Sequence, residues 1–209
     1  MSIFTEPTLL NAQRWKNKRI GILGGSFNPP HEGHLHISKI ALKSFRLDAV
    51  WWLVTPQNPL KSATGLPDVK TRTALGRQII DNHPKILVTG IEEKLDTKYT
   101  YATVKKLKTH FPNTQFAWIT GMDNAHSLHK WNEWQNLLKE ICMIHITRHP
   151  PLGLVKQCPT KMLKTQKHRI INRGAAYPLD SQTTYWVLQK KTVNISSTEI
   201  RENKIKSAA

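Results

Sequence analysis

"GILGGSFNPPHEGHLHIS", residues 21–38, decides how the rest of the chain is read. It begins inside Arg19-Ile20-Gly21-Ile22-Leu23, an apolar run that reads as a short buried strand entering a glycine turn. It ends inside Gly33 to Phe45, where Ile37, Ile40, Ala41 and Phe45 recur at helical spacing and Lys39 and Lys43 fall outside. Between strand and helix lie glycines, two prolines and histidines. This is neither of the two common phosphate loops: a dinucleotide fingerprint needs G-x-G-x-x-G, and a Walker loop ends in Gly-Lys-Ser/Thr.

Outward from this unit the same alternation continues. "AVWWLVT" (49–55) is a second strand, stopped at Pro56, and a loop follows over 57–68. Val69 to Asn82 reads as a helix, Ile86 to Thr89 as a third strand, Thr100 to Thr109 as a helix and "FAWIT" (116–120) as a fourth strand. Leu128 to Lys139 is read as a helix and "ICMIHIT" (141–147) as a fifth strand. Val155 to Arg173 is poorly patterned, Thr184 to Leu188 is a candidate last strand, and Ser196 opens a short terminal helix. Strands alternating with helices predict a Rossmann-like, doubly wound parallel sheet in one domain, residues 19–209, after an N-terminal extension, 1–18. Ligands of such sheets sit beyond the carboxyl ends of the strands, where strand order reverses, and the opening loop lies at such an end.

The chain has 209 residues, 39% of them hydrophobic, enough for one sizeable core. No window approaches the ~18 apolar residues of a membrane span, and Met1 to Lys18 lacks the apolar stretch of a secretory signal. Cys142 and Cys158 have neither metal nor redox spacing. A cytoplasmic location is therefore expected. The net charge of +17 points to phosphate-bearing partners or to a solvated basic surface. Its clusters, Lys105-Lys106-Leu107-Lys108 and Lys161 to Arg169, contain no aromatic residue, which argues against a nucleic-acid-binding module.

Gly24 and Gly25 leave room for a ligand against the backbone, and their N–H groups can face phosphate oxygens. Pro29 and Pro30 suit the approach to a helix. His31 and His34, spaced by three, can face the same side of its first turn, where free N–H groups and the helix dipole attract anions. A metal site at His31-Glu32-Gly33-His34, with His36 nearby, is the rival reading, but the zinc-protease spacing is one residue longer. A structural turn with exposed histidines is another. The far end, "NISSTEIR" (194–201), carries a capping box, Ser196-x-x-Glu199, with Ser197, Thr198 and Arg201 beside it. Hydroxyls, free N–H groups and a guanidinium make a second anion site.

"GGSFNPPHEGH" together with "ISSTEIR" resembles the nucleotidyltransferase superfamily marked by His-x-Gly-His and a C-terminal Ile-Ser-Ser/Ala-Thr-x-Ile-Arg. Within it, residue 19 onward is similar to the bacterial nicotinate-nucleotide adenylyltransferases. "TPQNPLK" (55–61), "YTYATV" (99–104), "ITGMDNAHSLHKW" (119–131) and "ITRHP" (146–150) carry the likeness through the middle. The resemblance implies transfer of an adenylyl group from ATP, accompanied by Mg2+, to nicotinate mononucleotide, giving deamido-NAD and pyrophosphate in NAD biosynthesis.

It also implies roles. His34 and His31 are the catalytic pair on the phosphates, and Gly24, Gly25, Ser26 and Phe27 form the ATP loop. Gly121 and Asp123 line the adenosine half, and Ser197, Thr198 and Arg201 hold the β- and γ-phosphates. Trp131 stacks on the pyridine ring, Tyr99 and Thr100 lie beside its carboxylate, and Lys61 and Arg148 are phosphate partners. No protein-bound metal is implied. Three features depart from the pattern: Asn28 stands where the family often has Asp, only eight residues follow Arg201, and the first eighteen residues lie outside the match. Nicotinamide mononucleotide and phosphopantetheine are the alternative acceptors, and the aromatic Trp131 favours a flat heterocycle over the latter. The oligomeric state has no signal in the sequence.

Overall fold

Ala49–Val54, the "AVWWLV" run, is buried at every position. A strand without a polar face is one covered on both sides, the environment of a parallel sheet between helical layers. The computed structural model describes residues 4–56, 65–147, 158–172, 174–188 and 197–208, with side chains through Glu202. It has one sheet of seven strands: β1 (Arg19–Gly25), β2 (Ala49–Val54), β3 (Ile86–Thr89), β4 (Gln115–Gly121), β5 (Cys142–Ile146), β6 (Lys167–Ile171) and β7 (Thr183–Val187). Their order is β3-β2-β1-β4-β5-β7-β6, and every pairing is parallel. The order reverses between β1 and β4, which opens a crevice at their carboxyl ends. The expected α/β doubly wound sheet is the fold observed.

Successive side chains of a strand point to opposite faces, so the adjacent Trp51 and Trp52 serve different cores. Trp52 packs with α1 (Glu32–Phe45) and α2 (Val69–Ile80), among Phe27, Ala41, Phe45 and Val88. Trp51 packs on the other face with α4 (Thr100–His110) and α6 (Trp134–Glu140), among Leu107, Phe111 and Leu138. Close packing also decides the glycine at 21. A Cβ there would stand 2.5 Å from Ile119 Cδ1 on the neighbouring strand.

Residues 4–18 are bound into this second core. They hold a 3-10 helix, Leu9–Trp15. Trp15 is buried, stacks on Phe4 with ring centroids 5.1 Å apart and meets Trp51 edge-on at 4.8 Å. The Thr114 hydroxyl donates to the Trp15 carbonyl at 2.9 Å, and Glu6 pairs with Arg77 at 2.5 Å.

The structure departs from the sequence pattern at three places. The expected helix over 128–139 is broken: α5 (Met122–Ser127) runs into a 3-10 turn, Leu128–Lys130, and α6 starts only at Trp134. Glu133, with φ 50°, takes the left-handed conformation that separates them. The helix expected to reach Asn82 stops at Ile80, because Asp81 and Asn82 are both left-handed, with φ 45° and 53°. The unpatterned 155–173 region holds β6, whose exposed lysine and arginine suit an edge strand and hide it from periodicity. A short helix, α3 (Ile91–Leu95), precedes α4. The terminal helix is α7 (Ser197–Ala208), and Ser196, the expected cap, lies outside the described residues. Most of the 57–68 loop does too.

Candidate active site

His31 is the N-cap of α1, in extended conformation, and its Nδ1 accepts the Gly33 N–H at 3.1 Å. His34, at the third helical position, accepts the His31 N–H on its own Nδ1 at 3.2 Å. The two imidazoles thus complete a capping box that serine and glutamate usually make. A neutral imidazole that accepts at Nδ1 carries its proton at Nε2. Both rings therefore present Nε2–H donors. Their centroids are 3.9 Å apart, and both line a cavity of about 540 Å3 at the crevice.

The loop leading to them is pinned from below and from the side. Phe27 adopts φ 46°, unfavourable for an aromatic residue. Its buried ring stacks on Trp52 at 5.1 Å and tilts against His34 at 4.8 Å. The Trp52 Nε1–H donates to Ser38 Oγ, whose own hydroxyl donates to the His34 carbonyl, each at 2.8 Å. Arg72 of α2 is buried and gives its guanidinium wholly to backbone carbonyls: Ser26 at 2.6 Å, Pro67 at 2.7 Å, Thr55 at 2.8 Å and Pro56 at 3.1 Å. The loops after β1 and β2 are thereby tied together. From the other end of the chain, Ser197 Oγ donates to the Pro29 carbonyl at 2.9 Å and the Arg201 guanidinium donates to the Asn28 carbonyl.

Beyond β4, Gly121, Asp123 and Asn124 line the cavity with Trp118. A Cβ on Gly24 would collide with the Trp118 indole, so this glycine makes room for a tryptophan wall. Behind it, Thr120 Oγ1 and His145 Nδ1 share a hydrogen bond at 2.6 Å. Burial, aided by His168, pushes His145 down to about 3, against a small opposing pull from Asp123, so it is a neutral prop.

At the opposite end the walls are Lys98, Tyr99 and Thr100, then Lys130, Trp131 and Asn132, with Glu92 among them. Tyr99 is the N-cap of α4 and makes no side-chain cap hydrogen bond, and it lines the cavity together with Thr100, where the helix starts. Trp131 closes the 3-10 turn after α5 through its N–H to the Leu128 carbonyl at 2.9 Å.

Of the residues singled out in the sequence, Gly24, Gly25, Ser26, Phe27, His31, His34, Gly121, Asp123, Ser197 and Thr198 come together with Tyr99, Thr100 and Trp131 around this one cavity. Arg201 stands behind it, on Asn28 and on Thr198 Oγ1 at 3.2 Å. Lys61 and Arg148 lie outside the described residues. Glu92, Lys98, Trp118, Lys130 and the clamp Arg72 were not foreseen.

The sequence profile of the Cytidylyltransferase-like family matches residues 22–203. A relative from Cereibacter sphaeroides (strain ATCC 17025 / ATH 2.4.3), called a probable nicotinate-nucleotide adenylyltransferase, is 39% identical, the match covering 87% of this chain and 96% of the relative. One of the same description from Ruegeria sp. (strain TM1040) is 36% identical, over 88% of this chain and 96% of its own. In fold the chain is similar to the Plasmodium falciparum nicotinic acid mononucleotide adenylyltransferase complexed with NaAD, with TM-score 0.65 and 24% identity over 91% of this chain and 89% of that one. The chain belongs to the Cytidylyltransferase-like family and, within it, to the nicotinate-nucleotide adenylyltransferases.

Proposed function

We propose that the chain joins ATP and nicotinate mononucleotide to give deamido-NAD and pyrophosphate. One observation carries this reading: a single cavity has imidazole and hydroxyl donors at one end and an uncapped helix start beside a tryptophan at the other. The first suits a triphosphate and the second a flat ring bearing a carboxylate. An oxygen of the acceptor phosphate attacks the α-phosphorus in line, the bond to the β-phosphate oxygen breaks, and pyrophosphate leaves. No covalent bond to the protein is needed, so catalysis rests on position and charge.

His34 gives its Nε2–H to an α-phosphate oxygen as charge grows there, and His31 gives its own to a neighbouring phosphate. Ser197 and Thr198 serve the β- and γ-phosphates. Thr198 Oγ1 accepts from Arg201, which leaves its own proton available to a ligand. Arg201 thus acts through Thr198 and the loop. Gly24 to Phe27 and Gly121 lie against the nucleotide, and Asp123 accepts from the ribose. Mg2+ enters as part of the ATP substrate, held by its phosphates. Trp131 stacks on the pyridine, and the first-turn N–H groups at Tyr99 and Thr100 take the carboxylate. Lys61 and Arg148 are assigned to phosphate on sequence grounds. The free, buried Cys142 and Cys158 accord with a reducing cytoplasm.

Pyrophosphate release from ATP, measured with nicotinate mononucleotide, nicotinamide mononucleotide and phosphopantetheine in turn, tests the reading. The amide would bring an NH2 against N–H donors, and an unpaired polar group costs about 1–3 kcal/mol. The acid should therefore be used at least about tenfold more efficiently. Equal use of the amide, or preference for phosphopantetheine, overturns it.

A further inference from the structure

Glu92, on the five-residue α3, is 5% exposed and lines the cavity together with Tyr99 and Thr100. Its Oε1 accepts the Thr103 hydroxyl at 2.8 Å. Its Oε2 is buried with no regular hydrogen bond, the Thr55 hydroxyl lying near enough only to favour the charged form somewhat. No ion pair among the described residues reaches it. A buried carboxylate so poorly compensated is costly, whereas a carboxylic acid is not.

Thr103 makes the position consequential. Its single hydroxyl proton has three oxygens within reach: Glu92 Oε1, Thr97 Oγ1 at 2.8 Å and the Tyr99 carbonyl at 3.1 Å. When Glu92 is ionised, Thr103 must donate to it. When Glu92 carries its proton on Oε1, it can donate to Thr103, which frees the Thr103 proton for the Tyr99 carbonyl or Thr97. The state of one acid thus sets the hydrogen bonding of the turn that starts α4.

We propose that Glu92 is a positioning residue for the acceptor: as an uncharged acid it holds Thr103 and Tyr99 so that the first turn of α4 meets the acceptor's carboxylate, and its ionisation weakens acceptor binding. The proposal rests on the acceptor reading above. Desolvation raises the Glu92 carboxyl above its ordinary range, with Thr103 and then Thr55 opposing. An anionic ligand overhead pushes in the same direction. The other charged or titratable groups around it are Glu93 and Lys94 on its own helix, Lys98 and Tyr99 before α4, and Lys106 on α4, which is occupied by the Leu95 and Asp96 carbonyls. Arg72 lies below Thr55, and His31 and His34 line the same cavity from α1.

The test is steady-state kinetics of the wild type, Glu92→Gln and Thr103→Val across the whole pH range in which all three stay folded. Each substrate is varied against saturating partner, with both mononucleotides tried as acceptor. Glutamine keeps the shape and stays uncharged. The wild-type KM for acceptor should rise about tenfold across this range while that of Glu92→Gln stays flat, so the variant binds acceptor better at the alkaline end. The KM for ATP should move within about twofold in all three, and Thr103→Val should raise the acceptor KM about tenfold at every pH. Parallel profiles in wild type and Glu92→Gln overturn the proposal, as does an ATP KM that moves together with the acceptor KM in Thr103→Val. A wild type that prefers the amide, with the pH contrast intact, overturns the nicotinate reading alone. Turnover of neither mononucleotide overturns both.

Discussion

The two ends of the cavity are built on different principles. At the His31 end, most orienting hydrogen bonds have a backbone group on one side: Gly33 and His31 N–H fix the imidazoles, and Arg72, Ser197 and Arg201 hold carbonyls of the loop. At the Trp131 end, short helices and turns are joined through hydroxyls and one buried acid. Backbone contacts leave few alternatives, so the first end, proposed above for the phosphates, is rigid. Hydroxyl chains can be rearranged by one proton, so the second end is adjustable. A transferase with a common donor and a variable acceptor has use for both.

The sharpest way to break this contrast is at His34. His34→Ala removes the donor proposed for the developing charge and should lower kcat by about 10²- to 10³-fold, with a smaller change in the KM for ATP. Turnover within a few-fold of wild type would show that the rigid end is not the catalytic one. Next comes the clamp. Arg72→Met strips the donors from buried carbonyls and should destabilise the fold by about 3 kcal/mol, a drop of roughly 6–12 °C in Tm. A Tm unchanged by the substitution would mean that the loops hold without it.

At the adjustable end the effects are smaller. Trp131→Ala should weaken both pyridine mononucleotides about tenfold through loss of stacking, leaving their ratio within about twofold. A collapse of the ratio, measured as kcat/KM for each, would move discrimination onto Trp131. Outside both ends, and read in stability and not in activity, is the His145 prop behind the Trp118 wall. Its folded pKa of about 3 lies below that of an unfolded histidine, so the unfolded chain takes up the proton first. Its contribution is complete above about pH 6.5 and is lost as pH falls toward about 3, by at most about 1.4 kcal/mol per pH unit. His145→Gln should therefore flatten the acid side of a Tm-against-pH curve; coincident slopes would place the acid sensitivity elsewhere.

The rigid end was legible in the sequence because its parts are local. Glycine, proline and histidine within 21–38 announce a turn and a helix start, and Ser197, Thr198 and Arg201 stand together. The parallel sheet was legible from apolar runs such as Ala49–Val54. Other parts were not. Glu92 sits in "GIEEK", which reads as a charged surface turn until the fold buries it under α4. Arg72 looks like one more cation in a basic chain, since no carboxylate marks the carbonyls it serves. Arg201 could be assigned to the right neighbourhood, but not to Asn28 in preference to a phosphate. Gly24 suggested space for a ligand, whereas its missing Cβ also accommodates Trp118, a partner 94 residues away. The broken helix after 128 turns on the left-handed Glu133, a residue type with no preference for that conformation.

The bonds from Ser197 to Pro29 and from Arg201 to Asn28 span 168 and 173 residues. A ribosome adding about 5–20 residues per second finishes the loop on the order of ten seconds before its lateral clamp exists. A nascent or prematurely released chain that ends before the last helix therefore carries the signature loop without the two hydrogen bonds that brace it from the side.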